Sequence, residues 1–343
     1  MSVVLTRSRF INALRCYASY ALNRLGSALF RTPYTLRHTP LFVSVEPSAV
    51  CQLHCPACPV GRSPLRLPHE GGEKRSGGRF MPRDLWERVL AQIKDSAWVV
   101  QFYFQGEPLL NKDLPLMIRE AHGAGLYTIV STNAQAMTPE LAKALVAAGL
   151  DRIIISMDGL TQESYSAYRV GGSLDQCKAA LRWLQEAKQK QSSLPPSMGG
   201  SRGAVIELQV LRLKSNEHEW RVFRKEYKAL GADRLVFKTA QLYDYRHGHP
   251  LMPSEPRYRR YEQHEDGLWY RKPLSKGCFR VWSGVVIAAN GDVLPCCYDK
   301  DHAHAYGNLR TASLRELFTG PAARTFRTQA MLQKPKICQE CWK

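Results

Sequence analysis

From residue 41 to residue 238 the chain alternates between short apolar runs and longer amphipathic ones, and this alternation restricts the fold more than any other feature. The runs 41–46, 98–104, 127–131, 153–157, 205–213 and 234–238 have strand length and are rich in Val, Ile, Leu, Phe and Tyr. Between them, 82–95, 112–124, 139–148, 173–190 and 217–230 read as helices, as Leu85, Val89, Leu90 and Ile93 on one face illustrate. Thr138 before Pro139 is a helix start: the hydroxyl can cap free backbone N–H groups, and the fixed φ of proline suits the first turn. Strand–helix repetition implies parallel strands with right-handed crossovers. The expected fold class is therefore α/β, a partial (β/α)6 TIM-like barrel over 41–240. Chemistry in such barrels gathers at the C-terminal ends of the strands.

Those ends are where the polar motifs fall. The first strand runs into Cys51-Gln52-Leu53-His54-Cys55-Pro56-Ala57-Cys58, three thiols spaced C-x3-C-x2-C. Thiolates are soft ligands for zinc, copper(I) or iron–sulfur clusters. Structural zinc takes four ligands, usually as two pairs, and a 4Fe–4S cluster takes four cysteines. Three thiols in one loop would hold three irons and leave the fourth open; by analogy with catalytic zinc, an open position binds substrate or cofactor. A zinc loop with His54 as fourth ligand competes, but His54 adjoins Cys55 and could not easily share its metal. Later strands end at Gln105-Gly106-Glu107-Pro108, Thr132-Asn133 and Ser156-Met157-Asp158-Gly159, the last followed by Tyr165, Tyr168, Arg169, Gly171 and Gly172. Gly106 lets a ligand approach the backbone. The planar fork of Arg169 suits a carboxylate, against the plainer reading of a surface ion pair. Gln209 and Lys238 are further candidates to face a substrate.

The C-terminal part carries a second set of thiols, Cys278, Cys296, Cys297, Cys338 and Cys341, after a connector over 241–277. Runs 285–288 and 293–294 flank Asn290-Gly291-Asp292, a hairpin turn signal that brings Cys278 and Cys296 toward each other. Residues 311–318 read as a helix. Four thiolates from two separated pairs hold zinc or a complete cluster. Cys16 and Cys177 stand alone and read as plain thiols.

The 343 residues allow one large domain or two smaller ones, and the ten cysteines in metal-like spacings favour clusters over disulfides. A net charge of +18 attracts anions: acidic substrates, nucleic acid or an anionic membrane. No RNA-reading motif is present, and no apolar run approaches the ~20 residues of a membrane span. Residues 1–45 contain no Asp or Glu, while Arg7, Arg9, Arg15, Arg24, Arg31 and Arg37 recur. Phe10, Leu14, Tyr17, Ala21 and Leu25 fall at helical spacing. Residues 1–40 therefore form a basic, helical extension. It reads as an amphipathic helix on an anionic membrane, as a targeting peptide, or as a helix packed across the bottom of a barrel with its arginines in water. The last is preferred, and the segment is too short for a winged-helix peptide-recognition domain. The Gly-, Arg- and Pro-rich stretch 61–79 is either a lid or a surface loop.

The cysteine spacing after a first strand resembles the radical S-adenosylmethionine (radical SAM) enzymes. The resemblance implies that Cys51, Cys55 and Cys58 hold a 4Fe–4S cluster whose open iron is chelated by SAM. One electron then splits SAM to a 5′-deoxyadenosyl radical, which takes a hydrogen atom from substrate. Ala57 stands where the family often has an aromatic residue. Gly106, Glu107 and Pro108 match the family's Gly-Gly-Glu-Pro, which contacts the SAM amino group, with Gln105 for the first glycine. Thr132 and Asn133 match Thr-Asn-Gly, with Ala134 for the glycine, and 156–159 matches Ser-Leu-Asp-Gly. Ser156 and Arg169 are thereby candidates for the SAM ribose and carboxylate region. Cys278-x12-Gly291-x4-Cys296, Gly307-Asn308-Leu309 and the stretch 313–317 resemble the SPASM extension of the same family. Ending two residues past Cys341, the chain resembles its shortened form, the twitch domain, over 278–343. That implies one auxiliary 4Fe–4S cluster on Cys278, Cys296, Cys338 and Cys341, with Cys297 as spare or as substitute for Cys296.

The function expected from this resemblance is a radical SAM oxidoreductase with the auxiliary cluster as electron conduit. Dehydrogenation of a small polar molecule such as a sugar alcohol is the preferred reaction. A ribosomal peptide-modifying maturase is the alternative, and a non-enzymatic metal scaffold that binds nucleic acid is a third, disfavoured reading. The implied partners are SAM, an electron donor such as flavodoxin or ferredoxin, and a membrane surface contacted peripherally through residues 1–37. The expected location is cytoplasmic.

Overall fold

The computed structural model describes residues 4–25, 37–62, 79–193, 203–272, 278–332, 335–339 and 341. The expectation for 61–79 thus lies almost wholly outside the described residues, as does most of the loop after the helix that ends at Ser192. Six strands follow the predicted runs: β1 (Phe42–Val45), β2 (Val99–Phe102), β3 (Tyr127–Thr132), β4 (Arg152–Ser156), β5 (Val205–Arg212) and β6 (Arg234–Thr239). Two short strands, β7 (Tyr261–Gln263) and β8 (Trp269–Arg271), form an antiparallel pair inside the connector. The C-terminal part adds β9 (Gly284–Ile287), β10 (Asp292–Leu294) and β11 (Gly307–Asn308). Nine strands form one mostly parallel sheet in the order β11-β10-β9-β1-β2-β3-β4-β5-β6, so the fold class is the α/β one expected.

The chain packs as two compact units that interleave along the sequence. The first comprises Met1–Ala49, Lys74–Ile129 and Leu274–Lys343; the second comprises Val50–Glu73 and Val130–Pro273.

In the first unit β1 is the inner strand. Val43 lies opposite Val100 on β2 and opposite Val285 on β9, both in parallel register. Val43, Val45, Val100, Phe102, Val286 and Ile287 are all buried, as strands covered on both faces must be. Helix Arg83–Ile93 lays Leu85, Trp86, Val89 and Ile93 on this layer, with Trp86 against Phe102 at 5.4 Å. Trp86 also donates to Glu120 on helix Leu114–Gly123, and Arg83 forms a bidentate pair with the same carboxylate.

The N-terminal helix, Arg7–Leu25, packs on this unit with the opposite side to the one expected. Its buried side is Arg9, Asn12, Cys16, Ser19 and Asn23. Arg9 donates to the carbonyls of Lys94 and Ala124 at 2.6 and 2.7 Å, the residues that close the two helices just named. It also donates to Gly125 and Val4. Helix C-termini leave carbonyls without intrahelical partners and carry partial negative charge. A guanidinium answers both needs, so the expectation of arginines in water fails at Arg9, while Arg7, Arg15 and Arg24 are exposed.

In the second unit β4, β5 and β6 pair in parallel, with Ser156 opposite Gln209. Helices Pro139–Ala147 and Leu174–Ser192 start on side-chain caps from Thr138 and Ser173. The helix expected over 217–230 is shorter, Trp220–Glu226, and follows a 3-10 turn, Lys214–Glu219. Asn216 explains the turn. Its amide donates to the carbonyls of Asp158 and Leu211, and its oxygen accepts from Leu213 N and Trp220 Nε1. Fully buried itself, this side chain holds the backbone in a tighter winding than an α-helix start would allow.

Candidate functional site

The three-thiol loop belongs to the second unit. Cys58 N donates to Cys55 O at 3.1 Å, and Arg62 N to Cys58 O at 3.0 Å, opening the short helix Pro59–Arg62. Gly61 is needed for this closure: a Cβ there would stand 2.6 Å from Cys55 O and 2.7 Å from Cys55 N. Cys55 is buried, and Cys51 and Cys58 are half-buried. Leu53, Cys55 and Ala57 pack against Tyr168, Leu213, Ala240, Leu242, Leu251, Met252 and Tyr261. Part of the connector therefore walls the loop, a role that the sequence reading missed.

Two side-chain N–H donors reach the sulfurs. Asn133 Nδ2 lies 3.4 Å from Cys51 Sγ, and Arg169 Nη1 lies 3.9 Å from Cys55 Sγ. Leu53 N also points at Cys51 Sγ, at 3.4 Å. Arg169 Nε donates to Asp158 Oδ2 at 2.6 Å, and Asp158 Oδ1 accepts from Leu211 N at 2.6 Å. Asp158 is fully buried, so this is a buried ion pair and not the surface pair weighed from sequence. Burial, the largest single influence, would lower the Arg169 guanidinium, but the charges of Asp158, Cys55, Tyr168 and Tyr165 together outweigh it and hold the pKa well above the usual arginine value. Burial pushes the Cys55 thiol up, and the charge of Arg169 opposes that rise. Asp158 stood in a motif read from sequence, yet its pairing with Arg169 had no local signal.

The remaining candidates divide between the units. Thr132 ends β3, and its hydroxyl accepts from Ala134 N at 2.8 Å. Ala134 itself has φ +64°, a left-handed conformation in which glycine is at ease and alanine is strained. Asn133 Oδ1 accepts from Gln135 N, and Gln52 Nε2 lies 3.3 Å from it. Ser156 is buried at the end of β4. Gln209 is partly exposed within β5, and Lys238 is exposed on β6. Gly106, Glu107 and Pro108 belong to the first unit. There the buried Glu107 accepts from Leu109 N at 3.1 Å and caps the 3-10 turn Pro108–Leu110. His54 turns its ring toward Gly171, and its Nδ1 has no hydrogen-bond partner among the described residues.

Also in the first unit, Cys278, Cys296, Cys297, Cys338 and Cys341 are all half-buried. Burial pushes Cys296 up, and the neighbouring thiolates of Cys297, Cys341 and Cys338 add to the rise. Burial pushes Cys338 up to about 12, with Cys278 and Cys341 adding to it. These mutual influences gather all five thiols in one region, the four expected ligands and Cys297 alike.

The residues at both places suit iron–sulfur chemistry. Thiols are its ligands, and N–H donors on the cysteine sulfurs, as at Cys51 and Cys55, are what tunes such clusters. Among the described residues no three His, Cys, Asp or Glu side chains converge as ligands of one ion do. Thiolates bound to separate irons of a cluster need no such point of convergence.

Comparison with known proteins agrees. The family model described as "Radical SAM superfamily" matches residues 45–200, and SPASM, described as "Iron-sulfur cluster-binding domain", matches residues 278–342. A PqqA peptide cyclase of Rhodopseudomonas palustris is 34% identical over 221 residues, 63% of this chain and 51% of that protein. The chain thus spans about half the length of that relative. A PqqA peptide cyclase of Ruegeria pomeroyi is 27% identical over 324 residues, 88% of this chain and 79% of that protein. Streptococcus suis SuiB bound to precursor peptide SuiA shares the fold, with a TM-score of 0.58 at 17% identity over 84% of this chain and 67% of SuiB. These relatives correct the preference for small-molecule dehydrogenation, because both of the curated ones are peptide cyclases. The preference had no footing in the thiols, whose radical chemistry is the same whatever molecule gives up the hydrogen atom.

Proposed function

Because this chain belongs to the radical SAM superfamily and carries a C-terminal SPASM iron–sulfur domain, we propose that it modifies a ribosomally made peptide. The observation that carries this reading is the similarity to a PqqA peptide cyclase over 88% of the chain. Bound SAM and its 4Fe–4S cluster supply a 5′-deoxyadenosyl radical able to remove a hydrogen atom from the peptide.

In this proposal Cys51, Cys55 and Cys58 ligate that cluster. Gly106, Glu107 and Pro108 receive the SAM amino group, Thr132 and Asn133 also bind the cofactor, and Ser156 and Arg169 serve its ribose and carboxylate region. Cys278, Cys296, Cys338 and Cys341 ligate the auxiliary cluster. Asn133 and Arg169 direct N–H groups at Cys51 and Cys55, which stabilises negative charge on those sulfurs. Asp158 fixes Arg169 in place, and the apolar packing around Leu53 and Cys55 keeps water from the loop. A flavodoxin or ferredoxin supplies the electron, and the reducing cytoplasm is the setting. Among the described residues no helix is long and apolar enough to cross a membrane.

The test is anaerobic incubation of the iron-loaded protein with SAM, reductant and short peptides encoded beside its gene. Formation of 5′-deoxyadenosine together with a peptide lighter by hydrogen supports the proposal. Steady SAM cleavage that leaves every such peptide unchanged, while a small polyol is oxidised, overturns it.

A further inference from the structure

The helix Arg7–Leu25 is built inside out for a helix on a globular fold. Its inner side is polar and fastened: Arg9 to four carbonyls, Asn12 Nδ2 to the carbonyls of Thr39 and Ser96, and the Ser19 hydroxyl to His38. Its outer side is apolar: Phe10, Leu14, Tyr17 and Leu22 are exposed by 50%, 54%, 65% and 45%. Phe10, Leu14 and Tyr17 follow the i, i+4, i+7 spacing of a single stripe. At 3.6 residues per turn Leu22 widens that stripe on one side, the exposed Arg24 and Arg15 fall on the two margins of the widened face, and the exposed Arg7 lies at its N-terminal end. Among the described residues none of these three arginines pairs with a carboxylate. Residues 1–45 hold no Asp or Glu at all.

From this arrangement we infer that the outer face of the helix docks on an anionic lipid surface. An apolar stripe with cationic margins is the chemistry that lies flat at a bilayer interface, with side chains among the acyl chains and guanidiniums at the lipid phosphates. A protein groove would be served by the apolar stripe alone. The two arginine margins and the absence of acidic residues favour a surface of uniform negative charge. The inner fastening makes the helix an integral part of the first unit, so docking brings the folded enzyme with it. The inference holds whichever substrate the enzyme modifies.

Co-sedimentation of the anaerobically purified full-length protein with vesicles tests it. Vesicles of phosphatidylcholine with phosphatidylglycerol should carry the protein down, added salt should release it, and phosphatidylcholine alone should retain little. The triple variant Phe10→Ser, Leu14→Ser, Tyr17→Ser should lose binding at least about tenfold, with helix content and iron content unchanged. An Arg15→Glu, Arg24→Glu variant should fail on the anionic vesicles as well. Wild-type protein that stays in the supernatant with anionic vesicles overturns the inference. So does a wild type that dimerises through the stripe, with dimerisation lost in the triple variant and no vesicle binding: a second copy would then be the occupant.

Discussion

Replacing Arg169 by methionine strands Asp158, a fully buried carboxylate whose other oxygen accepts from Leu211 N. Breaking one side of a buried pair costs about 3–5 kcal/mol, because the surviving charge has neither water nor a counter-charge. Arg169→Met is therefore expected to lower stability by about 3 kcal/mol in urea denaturation. Asp158→Asn combined with Arg169→Met should recover much of that loss, and a loss under about 1 kcal/mol in the single variant would discard the pairing account. Gly61 makes a different kind of test. A Cβ there meets the Cys55 backbone, which is far stiffer than a side chain. Gly61→Ala should displace Cys55 and halve the iron of anaerobically reconstituted protein, from about eight atoms per chain to about four. Full iron content in that variant would show that the loop can open without loss of its ligands. At this scale the thiols and strand-end motifs could be read from sequence, since each is a local pattern. Gly61 could not, because its reason is the Cys55 backbone six residues away, and neither could the partnership of Asp158 with Arg169.

At the scale of elements, His38 ties the segment before β1 to the helix Arg280–Ser283. Its Nε2 lies 2.9 Å from Trp282 O, which can only accept, so that nitrogen carries the hydrogen; its Nδ1 lies 3.1 Å from the Ser19 hydroxyl. Burial lowers the imidazole to about 4, the bond to Trp282 opposes this, and the charge of Arg327 adds to the lowering. An unfolded histidine titrates near 6.5. The unfolded state therefore takes up the proton first as pH falls, and stability is lost between about 6.5 and about 4. The loss reaches on the order of 3 kcal/mol at the lower end. His38→Gln should be less stable than wild type at pH 7, and the difference should shrink or reverse by pH 4.5 in urea titrations. A constant difference across that range would mean the imidazole is not kept neutral. Helices capped by Thr138 and Ser173 could be read from sequence because caps are local. The outward stripe of Arg7–Leu25 could not: periodicity shows that a helix has two faces, and only the open carbonyls at Lys94 and Ala124 decide which one turns inward. The β7–β8 pair escaped notice for a simpler reason, as three-residue strands among Tyr, Arg and His carry little alternation.

At the scale of the whole molecule, the pairing of β9 with β1 joins residues some 240 positions apart, opposite Phe42 being Gly284. Nothing local announces such a pair, whereas the hairpin at Asn290-Gly291-Asp292 announces itself. The sequence therefore reads as a core followed by an appended domain, while the first compact unit draws on both ends of the chain. A deletion of residues 274–343 makes this difference measurable. It would strip β9 from β1, leaving a bare row of backbone groups along the edge of an inner strand whose Val43 and Val45 are fully buried. It would also remove Trp282, fully buried and the acceptor for His38. Such an edge invites pairing with other chains, so the 1–273 fragment should aggregate or unfold without cooperativity. The full-length Cys338→Ser, Cys341→Ser variant isolates the metal from the sheet. It should fold, unfold cooperatively and lose about four irons. A soluble, monomeric 1–273 fragment with a sharp unfolding transition would mean that β9 contributes little to β1. The C-terminal residues would then matter for their thiols alone.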